Sequence, residues 1–332
     1  MKLKYLLANF YIQRKHWYID RIYKIKSNSN LLYEGFTRGF SSPSKTKRVI
    51  CLFEGKFLQG GLADRLRGII STYMICKELH VEFKLLFVHP FNLNDYFIPN
   101  TINWLIDSKS IKRDYTTTDV LYLDCLDGSD YESNKQYQWL KKKILHGKNE
   151  IIVYTNSKIS YSYNFHDLFN ELFKPSEKLQ KSINSIRTAL GESYISVSCR
   201  FLNLMGDFNE TFQSEILSEE EKLQYLKYVQ SEIERIHNKN PNQKILLNSD
   251  SVTFLDYMKC HDWIFIIPGK ITHIDNDASE DYYTYEKTFL DYMSIAGASH
   301  IYLIKYGKMM NSGYPLSASK VGNVPFDILE IQ

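Results

Sequence analysis

Apolar and amphipathic segments alternate along the chain in two series, the first of which begins near residue 47. The short apolar run "KRVICLF" (47–53) is typical of a buried strand. From Leu62 to Leu79 apolar residues recur with a period close to that of an α-helix, which predicts a helix. "FKLLFVHP" (83–90) predicts a second buried strand, so the three segments form a βαβ unit of an α/β domain.

A polar stretch separates this unit from the second series. Phe91 to about Lys143 is rich in Asp, Tyr and Asn and predicts irregular structure, whereas "EIIVYTN" (150–156) predicts another strand. The polar segment from Phe165 to Leu190 favours helix. We place the boundary between two domains near residue 170.

The second series alternates more regularly. Strands are predicted at 194–200, 244–251, 263–269 and 300–307. Helices are predicted at 218–240, where Ser218 and Glu221 form a capping-box pattern, at 252–259, at 285–299 and after the loop at 312–320. Strands that alternate with helices in this way predict a doubly wound, Rossmann-like domain.

Length and composition agree with two folded domains. A chain of 332 residues is long for one core, and we divide it into an arm (1–46) and two Rossmann-like domains (47–170 and 171–332). Its five cysteines are scattered with no CxxC pair, which is typical of reduced thiols in a cytoplasmic protein. We find no signal peptide and no apolar run of about 18 residues, and so expect no membrane span.

Charge is distributed unevenly. The first 50 residues hold eleven Lys and Arg against two acidic residues, although the whole chain has a net charge of only +3. A basic, aromatic-rich start suits contact with an anionic membrane surface, and it equally suits a solvated arm or a helix packed on the body. No known basic-aromatic module follows, so we expect no nucleic acid partner.

Candidate chemistry follows the predicted strands of the second domain, because ligands of open α/β sheets bind outside the carboxyl ends of the strands. Arg200 follows the strand "ISVSC", Asp250 ends "LLNSD", and Ser312 and Gly313 open a short helix. A guanidinium and free N–H groups suit the phosphates of a nucleotide, and a carboxylate suits its base or ribose. Each has a structural alternative: an ion pair for Arg200 with Asp207 or Glu210, a helix N-cap for Asp250, and a simple turn for Ser312 and Gly313.

In the first domain, "GGLADRLRG" places Asp64, Arg65 and Arg67 in the first turn of the predicted helix. A helix N-terminus disfavours positive charge, so the two arginines need a partner such as Asp64 or a ligand anion. Elsewhere, Asp275 and Asp277 form a DxD triplet of the kind that binds divalent cations. We interpret that polar stretch as a loop and expect no metal site.

Three parts of the chain, in order, resemble the superfamily of α-1,2-, α-1,6- and protein O-fucosyltransferases. "GGLADRLRGIISTYMICKEL" is similar to the family's Gly-rich loop entering the first helix, and "ISVSCRFLNLMGDF" resembles its H-x-R-R-x-D motif. "LLNSDS" and "MNSGYPLSASK" look like its S-D and late S-[GT]-[FY]-S-x-x-A segments. The resemblance implies a GT-B-like α/β architecture, with two Rossmann-like domains facing a cleft, a GDP-fucose donor, no essential metal and inversion at the anomeric carbon.

The resemblance also implies roles for individual residues of the second domain. Arg200 would hold the β-phosphate of GDP and stabilise the leaving diphosphate. Asp250 would recognise guanine or ribose with support from Ser251, and Ser312 with Gly313 would contact phosphate.

In the first domain, Gly61, Asp64 and Arg65 would lie at the cleft, near the donor and the acceptor. Inverting transfer needs a base near the acceptor hydroxyl, and we favour Asp207 or Asp64 over the other carboxylates at strand ends, Glu54 and Glu210.

The chain departs from the family motif. Ser198 stands in place of the motif's His, Arg200 is a single arginine, and the spacing from Arg200 to Asp207 is longer. A related sugar nucleotide therefore remains an alternative donor.

These observations lead us to expect a cytoplasmic, peripheral, metal-independent fucosyltransferase with no required cofactor. It would use a sugar-nucleotide donor and a glycan or lipid-linked oligosaccharide acceptor in surface polysaccharide or glycolipid biosynthesis. The alternatives are a non-catalytic nucleotide- or carbohydrate-binding member of the fold, and a metal-dependent transferase that uses Asp275 and Asp277.

Overall fold

The computed structural model describes residues 34–39, 42, 44–57, 59–123, 130–157, 164–207, 215–272, 274, 279 and 281–331. Most of the predicted basic arm, together with Cys125, Glu210, Asp275 and Asp277, lies outside the described residues. The chain falls into two compact units. Unit 1 comprises Met1–Gly60, Asp64–His89 and Asn103–Tyr163, and unit 2 comprises Gly61–Ala63, Pro90–Ile102 and Asn164–Gln332.

The helices and strands alternate along most of the chain. In order they are β1 (Arg48–Phe53), α1 (Leu62–Glu78), β2 (Glu82–Phe87), β3 (Phe97–Pro99), β4 (Thr118–Leu123), α2 (Asp130–His146), β5 (Glu150–Thr155), α3 (Phe165–Leu172), β6 (Phe173–Pro175), α4 (Glu177–Leu190), β7 (Tyr194–Cys199), α5 (Glu219–Lys239), β8 (Lys244–Ser249), α6 (Val252–Met258), β9 (Ile264–Phe265), α7 (Tyr282–Ala296), β10 (His300–Tyr306), α8 (Gly313–Gly322) and β11 (Phe326–Ile331). The expected α/β class is confirmed.

Unit 1 is built on a four-stranded sheet in the order β2-β1-β5-β4, with every neighbouring pair parallel. All six residues of β5 are buried, as expected of a strand covered on both faces. One face of the sheet contributes Ile50, Leu52, Ile152 and Tyr154 to a common apolar cluster. The switch in strand order lies between β1 and β5, so the residues after these two strands line the edge where a ligand is expected.

The prediction of irregular structure between Phe91 and Lys143 was wrong. The segment holds β4, whose "TDVLYL" pairs in register with β5, and most of α2. The strand begins with Thr118 and Asp119, and the helix is mostly polar, so neither shows a long apolar run. Five of the six residues of β4 are buried in the sheet, whereas α2 is stabilised by packing of a few buried side chains such as Leu140 and Ile144.

Unit 2 contains a five-stranded parallel sheet in the order β11-β10-β7-β8-β9. Numbered in chain order within this sheet and read from β9 to β11, this is the 3-2-1-4-5 order of doubly wound nucleotide-binding folds, with its switch point between β7 and β10. The fifth strand, β11, was not predicted, and β9 is limited to Ile264 and Phe265. The predicted Rossmann-like character is confirmed.

Helices of unit 2 begin where local capping dictates. The predicted capping box of α5 is confirmed, because Ser218 Oγ accepts from Glu221 N while Glu221 Oε2 accepts from Ser218 N.

The helix-prone segment 165–190 forms two helices, α3 and α4, separated by β6, which pairs antiparallel with β3. Residue 170, the predicted domain boundary, lies within α3 in unit 2.

Two further observations concern the chain as far as the structure describes it. Within those ranges, no helix combines the length and apolar character needed to cross a bilayer. Cys51, Cys76 and Cys199 are buried free thiols, and Cys260 is an exposed one.

Candidate functional site

The loop that follows β7 is held by a buried carboxylate from the neighbouring strand. Cys199 and Ser249 are register partners, so Arg200 and Asp250 follow their strands at the same edge of the sheet. Asp250 Oδ1 accepts the N–H of Phe201 and Oδ2 accepts the N–H of Leu202, each over 2.8 Å. Arg200 Nη1 lies 3.2 Å from Asp250 Oδ2 and completes an ion pair. Asp250 therefore binds the backbone and the side chain that open this loop.

The same loop contains a strained residue. Leu202 has a φ of +56°, in the left-handed region that non-glycine residues rarely adopt, and its side chain is buried. This conformation costs about 1–2 kcal/mol for an L-residue. Because a hydrogen bond to a charged group contributes about 1.5–3 kcal/mol, the bond from Leu202 N–H to Asp250 is strong enough to offset that cost.

Burial sets the electrostatics of Asp250. The side chain is only 3% exposed, and this burial raises the pKa of the carboxyl group. The charge of Arg200 and the amides of Phe201 and Leu202 lower the pKa again but do not fully compensate. Burying an ionised carboxylate is costly, so the ionised form of Asp250 depends on the donors around it.

The segment around Asp207, further along the β7 loop, reaches back to the helix after β8. Asp207 Oδ2 accepts from Ser251 Oγ over 2.9 Å and from Thr253 N over 2.7 Å. Ser251 is the N-cap of α6, where its Oγ also accepts from Phe254 N over 3.1 Å. Asp207 Oδ1 is buried and has no hydrogen-bond partner among the described residues. The structure thus places Asp207 and Ser251 together as a cap of α6.

On the other side of the switch point, the chain after β10 also contacts the Arg200 backbone. Met310 N donates to Arg200 O over 3.1 Å. Two residues later, Ser312 caps α8 by accepting from Tyr314 N over 3.3 Å, and Gly313 begins the helix. The N-terminus of α8 therefore follows closely on the segment that is bonded to Arg200.

Arg200 and α8 together supply groups that suit an anion. The side chain of Arg200 is 26% exposed, and its guanidinium is paired through Nη1 with Asp250. The first N–H groups of a helix carry partial positive charge and bind phosphate. A guanidinium and a helix N-terminus at the switch point of a 3-2-1-4-5 sheet are the groups that a nucleoside diphosphate needs.

Ser198 lies on β7 rather than in the loop. It is buried and paired in register with Asn248 of β8. Its Oγ has no hydrogen-bond partner within the described part of the chain.

In unit 1, Arg65 is a buried link between two segments of backbone. It is 3% exposed, and its Nε donates to Gly60 O while Nη1 donates to His89 O, both over 2.8 Å. Its guanidinium lies 5.3 Å from the centre of the Phe87 ring. These contacts account for a buried arginine without a ligand, and the contact of Arg65 with a donor stays a prediction.

Asp64 and Arg67 form an ion pair one turn apart on α1. Asp64 also packs beneath Gly60, whose φ is +71°, so that a Cβ at Gly60 would lie 2.6 Å from Asp64 Oδ2. Both arginines of the "GGLADRLRG" stretch thus have partners within unit 1. Roles of Gly61 and Asp64 in donor or acceptor binding stay predictions.

Glu54, which follows β1, belongs to a cluster that the sequence did not reveal. Arg113 Nη2 lies 2.5 Å from Glu54 Oε2, and Tyr154 donates to Glu54 Oε1. Burial by itself raises the pKa of Glu54, but the hydrogen bonds from Arg113 and Tyr154 and the charges of Arg113 and Lys56 outweigh it, so the pKa is lowered. A carboxylate held in its ionised form by a guanidinium is a poor proton acceptor at neutral pH. No sequence signal links Arg113 to Glu54.

Among the described residues, no group of three or more His, Cys, Asp or Glu side chains is placed to hold a metal ion. The DxD triplet at Asp275 and Asp277 lies outside those residues.

Comparison with known proteins supports the fold. No protein-family model and no curated protein matches the chain. A crystal structure of the α-1,6-fucosyltransferase NodZ soaked with GDP-fucose is 13% identical, with a TM-score of 0.52 over 83% of this chain and 93% of that one. Another, of fucosyltransferase NodZ from Bradyrhizobium, is 14% identical, with a TM-score of 0.53 over 87% and 96%.

A mutant of Arabidopsis thaliana FUT1 in complex with GDP is also similar, at 12% identity and a TM-score of 0.52 over 90% of this chain and 72% of that chain. Likeness at this identity is a likeness of fold. The chain has the fold of these fucosyltransferases, as the resemblance in sequence predicted.

Proposed function

We propose that this protein is a glycosyltransferase that uses GDP-fucose, or a closely related sugar nucleotide, and acts on a glycan acceptor. The observation that carries the proposal is the bond from Met310 N to Arg200 O, which joins the β7 loop to the segment entering α8 at the switch point of unit 2. The fold shared with proteins solved with GDP or GDP-fucose supports the choice of donor.

The proposed reaction is an inverting substitution. An acceptor hydroxyl oxygen bonds to the anomeric carbon, the bond between that carbon and the β-phosphate oxygen breaks, and GDP leaves with both bonding electrons. Arg200 and the N–H groups at Ser312 and Gly313 would stabilise the charge that develops on the diphosphate. A carboxylate, Asp64 or Asp207, would take the proton of the hydroxyl.

The remaining roles concern donor binding. We propose that Asp250 supports nucleotide binding through its contacts with the Arg200 loop, with Ser251 beside it at the β8–α6 junction, and that Gly61 and Arg65 contact the nucleotide from the loop entering α1. Reaction without a metal cofactor is part of the proposal, and it is tested by assaying transfer in the presence and absence of EDTA. Loss of activity with EDTA would favour the metal-dependent alternative.

The direct experiment is a calorimetric titration with GDP, UDP and CDP, followed by a screen of sugar nucleotides with mass-spectrometric detection of hydrolysis and transfer. We expect GDP to bind most tightly and GDP-fucose to be consumed. Failure to bind any of the three nucleotides would overturn the proposal. Tight GDP binding with no hydrolysis or transfer in the whole screen would instead identify a non-catalytic binding protein.

We further propose that the enzyme works at the cytoplasmic face of a membrane on lipid-linked or surface-polysaccharide acceptors. The support is the excess of Lys and Arg in the first 50 residues, eleven against two acidic residues. Co-sedimentation of the full chain with anionic but not with neutral vesicles, weakened by salt, is the expected result. Equal recovery with both kinds of vesicle would count against it.

A further inference from the structure

The carboxylate of Asp250 faces inward, toward the loop that carries Arg200. Both of its oxygens accept backbone N–H groups, from Phe201 and Leu202, and Arg200 Nη1 shares Oδ2. The side chain is 3% exposed. These contacts use the oxygens on the protein itself, whereas the sequence predicted that they would contact a base or ribose.

We propose that Asp250 is a positioning residue, whose carboxylate holds the left-handed backbone at Leu202 and thereby presents Arg200 in a preset position for a diphosphate. The inference rests on the proposed function, because it assigns a purpose to the loop that binds the donor. Asp250 would act on the nucleotide only through Arg200.

The first support is the conformation of Leu202. A leucine with a φ of +56° persists only where its surroundings impose that backbone. The contact that imposes it is the pair of bonds from two successive amides to one carboxylate. Without an acceptor there, the backbone at Leu202 is free to return to negative φ, and Arg200, two residues earlier, moves with it.

The second support is that the loop and the β8–α6 junction brace each other. The junction supplies Asp250 to the start of the loop, and Asp207, further along the loop, accepts from Ser251 and Thr253 of the junction. Met310 N fixes the carbonyl of Arg200 from a third direction. A side chain whose backbone is held from several sides loses little entropy on binding an anion, which is the advantage of preorganisation.

The experiment compares Asp250→Asn with a matched control, Asp291→Asn. Asp291 is also a carboxylate of unit 2 whose pKa is raised by burial, and it pairs with Lys287 over 3.0 Å within α7, so that it makes no bond to the Phe201 and Leu202 amides. An asparagine at 250 presents an NH₂ group to one of the two amides and cannot accept from both. We expect GDP affinity to fall at least tenfold, or about 1.4 kcal/mol, in Asp250→Asn and to stay within twofold in Asp291→Asn.

A double-mutant cycle separates positioning from direct contact. In an Arg200→Ala background the effect of Asp250→Asn on GDP affinity should vanish, because Asp250 acts through Arg200. If Asp250→Asn lowered GDP affinity in the Arg200→Ala background as much as in the wild type, Asp250 would touch the nucleotide and the inference would be overturned. No effect of Asp250→Asn in the wild-type background would overturn it equally.

Hydrogen exchange of the Phe201 and Leu202 amides tests the brace independently of nucleotide affinity. We expect both amides to be protected in the wild-type protein before GDP is added, and to lose protection in Asp250→Asn but not in Asp291→Asn. Amides that are protected only after GDP is added would show that the loop is not preset. If the wild-type protein binds no nucleotide although these amides are protected, the proposed function fails while the brace itself stands.

Discussion

The amide of Met310 donates to the carbonyl of Arg200 over 3.1 Å and so joins two segments that are distant in the chain. Arg200 follows β7 and Met310 lies between β10 and α8, so the bond spans the point where the strand order of unit 2 reverses. It brings the guanidinium and the N-terminus of α8 to one edge of the sheet. The proposed diphosphate site depends on this relationship.

Removing the guanidinium of Arg200 should weaken nucleotide binding. Charge-assisted hydrogen bonds contribute about 1.5–3 kcal/mol, so Arg200→Ala should lower GDP affinity by roughly 10- to 100-fold in calorimetric titration. The GDP affinity of Arg200→Lys should lie between those of the wild-type protein and Arg200→Ala, because lysine keeps the charge but loses the bidentate geometry of the guanidinium. Arg235→Ala, which breaks a pair with Glu232 on α5, is the control and should bind GDP normally. Unchanged affinity in Arg200→Ala would refute the phosphate role.

The general base is tested by Asp64→Asn and Asp207→Asn. Loss of a general base lowers kcat by about 10²- to 10⁴-fold, and in Asp64→Asn GDP affinity should not change because the base acts on the acceptor. Asp207 also caps α6, so Asp207→Ala should additionally cost about 1 kcal/mol of unfolding free energy. If both Asn variants keep the wild-type kcat, neither residue is the base.

Gly60 should tolerate alanine poorly. Its φ is +71° and a Cβ would lie 2.6 Å from Asp64 Oδ2, so Gly60→Ala adds a steric clash to backbone strain. Gly191 has a φ of +94° with nothing within 4 Å of its Cβ position, so Gly191→Ala introduces the strain alone. We expect Gly191→Ala to cost about 1 kcal/mol in chemical denaturation and Gly60→Ala to cost distinctly more. Equal costs would show that Asp64 moves aside freely.

Arg65 and Arg67 should differ in their contribution to stability. Arg65→Ala leaves the carbonyls of Gly60 and His89 without their donor in a buried place, which should cost roughly 2–4 kcal/mol of unfolding free energy. Arg67→Ala breaks a partly exposed ion pair with Asp64 and should cost less than about 1 kcal/mol. The same variants test donor contact, because a loss of GDP affinity in folded Arg65→Ala would add a binding role to the structural one.

The ionisation of Glu54 should make the free energy of unfolding depend on pH in the acidic range. Because its folded pKa is lowered from the usual 4.5, its stabilising contribution is present above that value and is lost as the pH falls through the folded pKa. We expect the wild-type unfolding free energy to drop more steeply than that of Glu54→Gln between about pH 5 and pH 3, measured by urea denaturation. Parallel curves of unfolding free energy against pH for the two proteins would contradict the pairing of Glu54 with Arg113.

Local pattern predicted much of the fold. The apolar runs of β1, β5 and β7 and the capping box of α5 are short-range signals, and each marks its element within a residue or two. β4 escaped prediction because its apolar run is short and follows two polar residues, and α2 escaped because polar residues dominate it.

By itself the sequence determined that chemistry-bearing residues follow the strands, because strand ends are visible as the ends of apolar runs. Arg200, Asp250 and Ser312 were identified in that way. Only the tertiary structure decided which groups these residues meet, since hydrogen-bond partners come from segments far apart in the chain. It turned Asp250 toward the amides of Phe201 and Leu202, and it enclosed Arg65 between the carbonyls of Gly60 and His89.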